Sequence, residues 1–150
     1  MIMLSSFIRP FAFLVIALTS VACQAIDNPD APNYIENFRA EAASYEQAIY
    51  QEAQTTSDSV EAYRGYIAFL EEELAAATSA LEDELSGSEG EAFAESQRAW
   101  AAYQEAEKAF VSSVWTPQNF GSSSAFSRLS FYVDVLRSRI ELLLKYRMQF

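Results

Sequence analysis

Residues 58–85 read DSVEAYRGYIAFLEEELAAATSALEDEL. Val60, Tyr63, Ile67, Leu70, Leu74, Ala77, Leu81 and Leu85 follow one another at steps of three and four, which places them on one face of a long helix. Asp58 reads as its N-cap, with Glu61 at the capping-box spacing. Ser86-Gly87-Ser88 reads as its stop, with glycine expected just past a helix. Gly65 is the weak position, costing roughly 1 kcal/mol relative to alanine, and its small size suits a close approach by another helix.

The same periodicity extends on both sides. Tyr34, Phe38, Ala42, Tyr45 and Ile49 predict a helix from about Pro32 to Gln54, since proline suits a first helical turn. A third helix is expected from Ser88, with Glu91 completing a capping box and Phe93, Trp100, Tyr103, Phe110 and Val114 on its apolar face. Ala92, Ala99, Ala102 and Ala106 would leave room for a close neighbour. Pro117 stops that helix, because the residue before proline resists the α region. Residues 115–124, WTPQNFGSSS, read as the one long internal loop. A last helix from about Ser124 to Gln149 carries Phe126, Leu129, Val133, Leu136, Ile140 and Leu143 on one face and Tyr132, Val135, Leu142 and Tyr146 on another. Two apolar faces suit a central helix or one that also meets another subunit, which leaves room for an oligomer. No strand alternation follows residue 26. The expected fold is all-α, an antiparallel bundle of about four helices behind an N-terminal signal segment.

Composition removes whole classes of chemistry. The 150 residues hold no histidine and one cysteine. Ser-His-Asp hydrolysis, His-ligated zinc and the Glu-x-x-His di-iron site are therefore excluded, as is an intrachain disulfide. The net charge of -11 argues against nucleic acid as a partner. Glu71-Glu72-Glu73 and Glu82-Asp83-Glu84 are the obvious acidic clusters, but consecutive helical residues point about 100° apart and do not converge on one ion. They read as solvated faces, with no metal, no cofactor and no catalytic residue expected. The charge is unevenly shared: residues 27–107 carry net -16 and residues 108–150 net +4. Either the last helix lies against acidic neighbours, or the acidic surface awaits a basic partner. Trp115 and Phe120, in the Pro/Gly loop, are candidate partner contacts or a plug over the bundle end.

Residues 1–22 have the form of a secretory signal: Arg9, then an apolar run from Phe11 to Leu18, then small residues. As a helix, Phe11 to Ala22 would span only ~18 Å, against a hydrocarbon core of ~30 Å. Cys23 follows Ser20-Val21-Ala22 and resembles the lipidated cysteine of a bacterial lipobox, although Ser20 stands where leucine is usual. Ordinary cleavage after Ala22 or Ala25 is the alternative. Residues 23–33 then form a tether. The chain is expected in the periplasm or cell envelope, held to the membrane by lipid at Cys23, or soluble there or secreted without it.

Ser96-Gln97-Arg98-Ala99-Trp100-Ala101-Ala102-Tyr103-Gln104-Glu105-Ala106-Glu107 resembles the core motif Q-R-x-W-x-x-Y-R-D-x-E-C of the lysozyme-inhibitor LprI-like family, the domain of unknown function 1311. Leu81-Glu82-Asp83-Glu84-Leu85 is similar to its leucine-rich helix, and Arg139-Ile140-Glu141-Leu142 to its closing R-x-x-E-L pattern with one residue fewer. The resemblance covers roughly residues 60–145 and assigns 34–150 to an LprI-like helical domain. Gln97, Arg98, Trp100, Tyr103 and Glu105 are then motif residues, structural or binding. Gln104 replaces the family's arginine and Lys108 its cysteine. The family disulfide between the last two helices is thus missing, and Trp100, Phe110, Phe126 and Phe131 are expected to replace it by packing. The resemblance implies a non-enzymatic inhibitor of lysozyme, a basic protein. The alternative is an envelope assembly factor that binds another envelope protein through the last helix.

Overall fold

The computed structural model describes residues 32–149. The signal segment, Cys23 and nearly all of the tether lie outside the described residues. Four long helices and one short turn follow: α1, Tyr34–Gln47; α2, Thr56–Glu84; α3, Gly87–Val114; α4, the single turn Pro117–Phe120; and α5, Ser124–Arg147. Among the described residues there is no strand, so the fold is the all-α bundle. None of the described helices is long and apolar enough to cross a membrane.

α1 starts where Asn33 Oδ1 accepts from the Glu36 N–H at 3.1 Å. It continues as a π-helical turn, Ala48–Glu52, closed by a bond from Ala53 N–H to the Ala48 carbonyl. The cap of α2 sits three residues before the expected one. Thr55 Oγ1 accepts from the Asp58 N–H and the Asp58 carboxylate accepts from the Thr55 N–H, at 3.1 and 2.9 Å. Asp58 thus closes a capping box as its third residue, and the helix gains a turn.

The stop after α2 also differs. Leu85 and Ser86 are extended, and Gly87, at φ +57°, opens α3 rather than closing α2. The reversal is compressed into two extended residues and one left-handed glycine, so the box expected from Ser88 and Glu91 is not used. Residues 117–123, expected as loop, form α4 and a 3₁₀ turn, Gly121–Ser123. Thr116 caps α4, with Pro117 in the first turn. Gly65 is exposed and nothing approaches it within 4 Å, so it does not serve helix packing.

The core lies among α1, α2 and α5. Phe38, Ala42 and Ile49 of α1 and its π turn meet Tyr63, Tyr66, Leu70, Ala77 and Leu81 of α2, and Val133, Leu136, Ile140, Leu143 and Leu144 of α5. Tyr45 stacks on Phe69 and Tyr66 with centroids 4.7 and 5.6 Å apart. Ion pairs join α5 to α1 and α2, with the base on either side. Arg137 bonds Glu46, Arg147 lies 3.6 Å from Glu84, and Arg39 grips Glu141 with two bonds at 3.0 and 2.8 Å.

α3 adds little to this core: Phe93 joins it and Trp100 packs against it. Only Phe93 and Val111 are buried along its 28 residues. The line turned inward is Phe93, Gln97, Trp100, Gln104, Lys108 and Val111, at steps of three and four. The expected face holds at Phe93 and Trp100 but is one position off at Tyr103 and Phe110, where Gln104 and Val111 turn inward instead, because three of the inward residues are polar. Tyr103 and Phe110 consequently point outward, 52% and 58% exposed. Ala92, Ala99, Ala102 and Ala106 lie on the exposed side, where they serve as helix formers and not as close-packing positions.

Candidate functional site

The polar residues on the inner line of α3 are each satisfied across the bundle. Gln97 Nε2 donates to Thr78 Oγ1 of α2 at 2.8 Å, and Gln97 Oε1 accepts from Arg139 Nη2 of α5. The same Nη2 donates to Ser96 Oγ at 3.2 Å, and the guanidinium carbon lies 5.6 Å from the centre of the Trp100 ring. Arg139 is 8% exposed, has no carboxylate partner among the described residues, and its Nε is buried without a hydrogen bond. Burial lowers its pKa below the ordinary guanidinium range, with Tyr146 acting the other way. The guanidinium is a charged pin joining α3 to α5, held by neutral acceptors and one aromatic face.

Further along, Gln104 Nε2 donates to the Tyr132 hydroxyl at 3.2 Å, and that hydroxyl donates to Glu71 at 2.9 Å. Lys108 Nζ lies 4.3 Å from the centre of the Tyr132 ring and donates to Glu105. Burial disfavours the Lys108 charge, but bonds to Glu105 and Tyr132 outweigh it and raise the pKa. At the position of the missing family cysteine, then, a cation on an aromatic ring ties α3 to α5. Phe110 takes no part in replacing the disulfide, since it faces solvent.

The motif residues divide cleanly. Gln97 and Trp100 face inward and hold Arg139. Arg98 is exposed and pairs with Glu95 one turn back on its own helix, Glu105 is exposed beside Lys108, and Tyr103 is exposed. Trp115 stacks on Phe120 at 5.8 Å and meets Phe131 at 4.5 Å with the rings tilted by 55°. Its carbonyl accepts from Arg128. Trp115 is half-buried in this cluster, while Phe120 keeps 47% of its surface exposed. Glu71-Glu72-Glu73 and Glu82-Asp83-Glu84 lie mainly in solvent; Glu73 is half-buried, and burial, then Glu41 and Glu72, raise its pKa.

Between α3 and α5 the chain leaves a groove of about 420 Å³, walled by Trp100, Tyr103, Phe131 and Leu142, with Glu107 and Asp134 on its two sides. Sequence reasoning placed Tyr103 on the apolar face and named Arg139 only as part of the closing R-x-x-E-L pattern, without a place in the core. The available signal was its register: Arg139 follows Leu136 by three and precedes Leu143 by four on the buried face of α5.

The family profile described as "Lysozyme inhibitor LprI" matches residues 42–143, from the middle of α1 to the buried end of α5. The chain belongs to the LprI lysozyme-inhibitor family. Comparison with curated proteins and with solved structures gives no match. The LprI match takes in the Gln97–Trp100–Arg139 node, the capping box of α2 and the whole α3–α5 groove.

Proposed function

We propose that this LprI-family chain is an exported cell-envelope inhibitor of lysozyme, anchored by lipid at Cys23, which works by covering the enzyme and breaks no bond. The observation that carries this reading is the family match over residues 42–143. The charge supports it. A chain of net -11, in which two of the α5 bases, Arg137 and Arg147, are taken up by Glu46, Glu141 and Glu84, presents an excess of acids to a basic protein. An inhibitor of this kind needs only to occlude a cleft, so a histidine-free surface suffices. Trp115 and Phe120, continuous with Phe131, extend the apolar part of the contact.

The test is complex formation: the exported chain and lysozyme, mixed at micromolar concentration in low salt, should migrate as one species by sedimentation. Separate migration overturns the reading. Mass spectrometry of the mature N-terminus tests the anchor; an unmodified Cys23 or a start at Ile26 removes it. A second reading, an envelope assembly factor docking through α5, draws on the exposure of Leu142 and Tyr146 there. Capture of a different envelope protein, lost on Tyr146→Ala, would favour it.

A further inference from the structure

The geometry points to the α3–α5 groove as the docking site for an arginine or lysine side chain of a basic protein partner. This rests on the functional reading above and locates its contact. Tyr103, Phe131 and Leu142 are 52%, 39% and 38% exposed around an opening of about 420 Å³, a size within the range of side-chain and ligand pockets. Glu107 enters from α3 and Asp134 from α5. Neither forms an ion pair among the described residues. The lining also holds one cation, Arg139, 8% exposed beside Trp100 and bonded through Nη2 to the neutral Ser96 and Gln97, so two acids face one base and the groove keeps a net negative charge.

Two free carboxylates framed by aromatic rings are the chemistry that recognises a guanidinium or ammonium group. The acids supply charge-assisted hydrogen bonds, and the exposed Tyr103 ring supplies a face for a cation–π contact. Such a pocket has the form of an interface centre, with aromatic anchors and an arginine from the other side. A second copy of this chain suits it poorly, because it brings a further net charge of -11 to the same two acids.

Two measurements on the exported chain test this. The first is affinity for lysozyme by calorimetry at low salt. Glu107→Lys, Asp134→Lys and Tyr103→Ala should each weaken binding more than tenfold. Glu82→Lys and Asp83→Lys, on the exposed side of α2, should change it less than threefold. Tyr103, Asp134, Glu82 and Asp83 are exposed and Glu107 is half-buried, and circular dichroism checks the folding of all five variants. Groove variants that bind within threefold of the unchanged chain, or α2 variants that weaken it equally, overturn the inference while leaving the lysozyme reading intact. The second is titration of the unchanged chain with tri-arginine peptide, followed by amide and indole NMR shifts. Shifts gathered at Trp100, Tyr103, Glu107 and Asp134 support the site; shifts confined to residues 71–73 and 82–84 overturn it. A chain that ignores lysozyme yet takes tri-arginine in the groove sinks the functional reading alone, and one that takes neither sinks both.

Discussion

Replacing Gln97 by alanine removes both bonds of one side chain. The Gln97 amide donates to Thr78 and its carbonyl accepts from Arg139, so the variant leaves a buried guanidinium with Ser96 alone. A hydrogen bond to a charged group contributes about 1.5–3 kcal/mol and a neutral one about 0.5–1.5. With Gln97 half-buried, so that water restores part of the loss, Gln97→Ala should cost about 2–3 kcal/mol. For a domain of this size that is roughly 10 °C in Tm. The assay is urea unfolding, run as a double-mutant cycle with Arg139→Met, which keeps most of the volume and deletes the charge. Where the charge is absent, Gln97→Ala should cost less than about 1 kcal/mol, since replacing a buried charge by an apolar group removes the need for its partners. The adjacent motif residue gives the contrast: Arg98→Ala, on the solvent side, should stay within about 0.5 kcal/mol. A Gln97→Ala cost below about 0.5 kcal/mol, or one unchanged by Arg139→Met, would refute the claim that the motif's inward half is a structural pin.

Three further outcomes follow from the packing and the charges. Gly65→Ala should stabilise the chain by up to about 1 kcal/mol in urea unfolding, because Gly65 sits mid-helix in open space at an ordinary φ; a loss would mean the site is crowded. Leu136→Ala, at a fully buried position of α5, should cost about 2–5 kcal/mol with the helix content retained; less than 1 kcal/mol would place the core elsewhere. Two carboxylates act oppositely with pH. Hydrogen bonding to Arg39 holds Glu141 below its ordinary 4.5 against partial burial, with the charges of Arg39 and Arg137 helping. Its stabilisation is therefore present above about pH 4.5 and fades as pH falls through the lower folded value. Burial and the neighbouring Glu41 and Glu72 raise Glu73, so the folded state holds that proton more tightly and its ionisation opposes folding at neutral pH. Thermal melts against pH should show Glu141→Gln flattening the acid loss, and Glu73→Gln more stable than the unchanged chain at pH 7 but not at pH 3; the reverse order would contradict these assignments.

The three-helix core was legible because its inward residues are apolar. Every position of the stripe from Val60 to Leu85 is buried or half-buried, as are Tyr34, Phe38, Ala42, Tyr45 and Ile49. α3 was misread for the opposite reason. Its inner line alternates apolar residues with Gln97, Gln104 and Lys108, whose fitness for the interior depends on Thr78, Tyr132 and Arg139, residues 19 to 42 positions away. Periodicity counts apolar residues and does not see a polar residue satisfied from another helix, so Tyr103 and Phe110 were taken for the face. The groove was illegible on the same ground, since Tyr103 walls it only because that ring turns out of the core. The cap of α2 shows a smaller ambiguity: Thr55 with Asp58 and Asp58 with Glu61 share one spacing, and the pattern does not choose between them.

The most direct measurement is the rate at which lysozyme hydrolyses cell-wall substrate as the exported chain is added, at low ionic strength and again near 1 M salt. Saturable loss of hydrolysis at micromolar chain is the expected result, weakening in high salt as the screening length falls from ~10 Å at 0.1 M to ~3 Å at 1 M. Lysozyme that keeps its full rate at low salt, with the chain folded and in excess, would contradict the account.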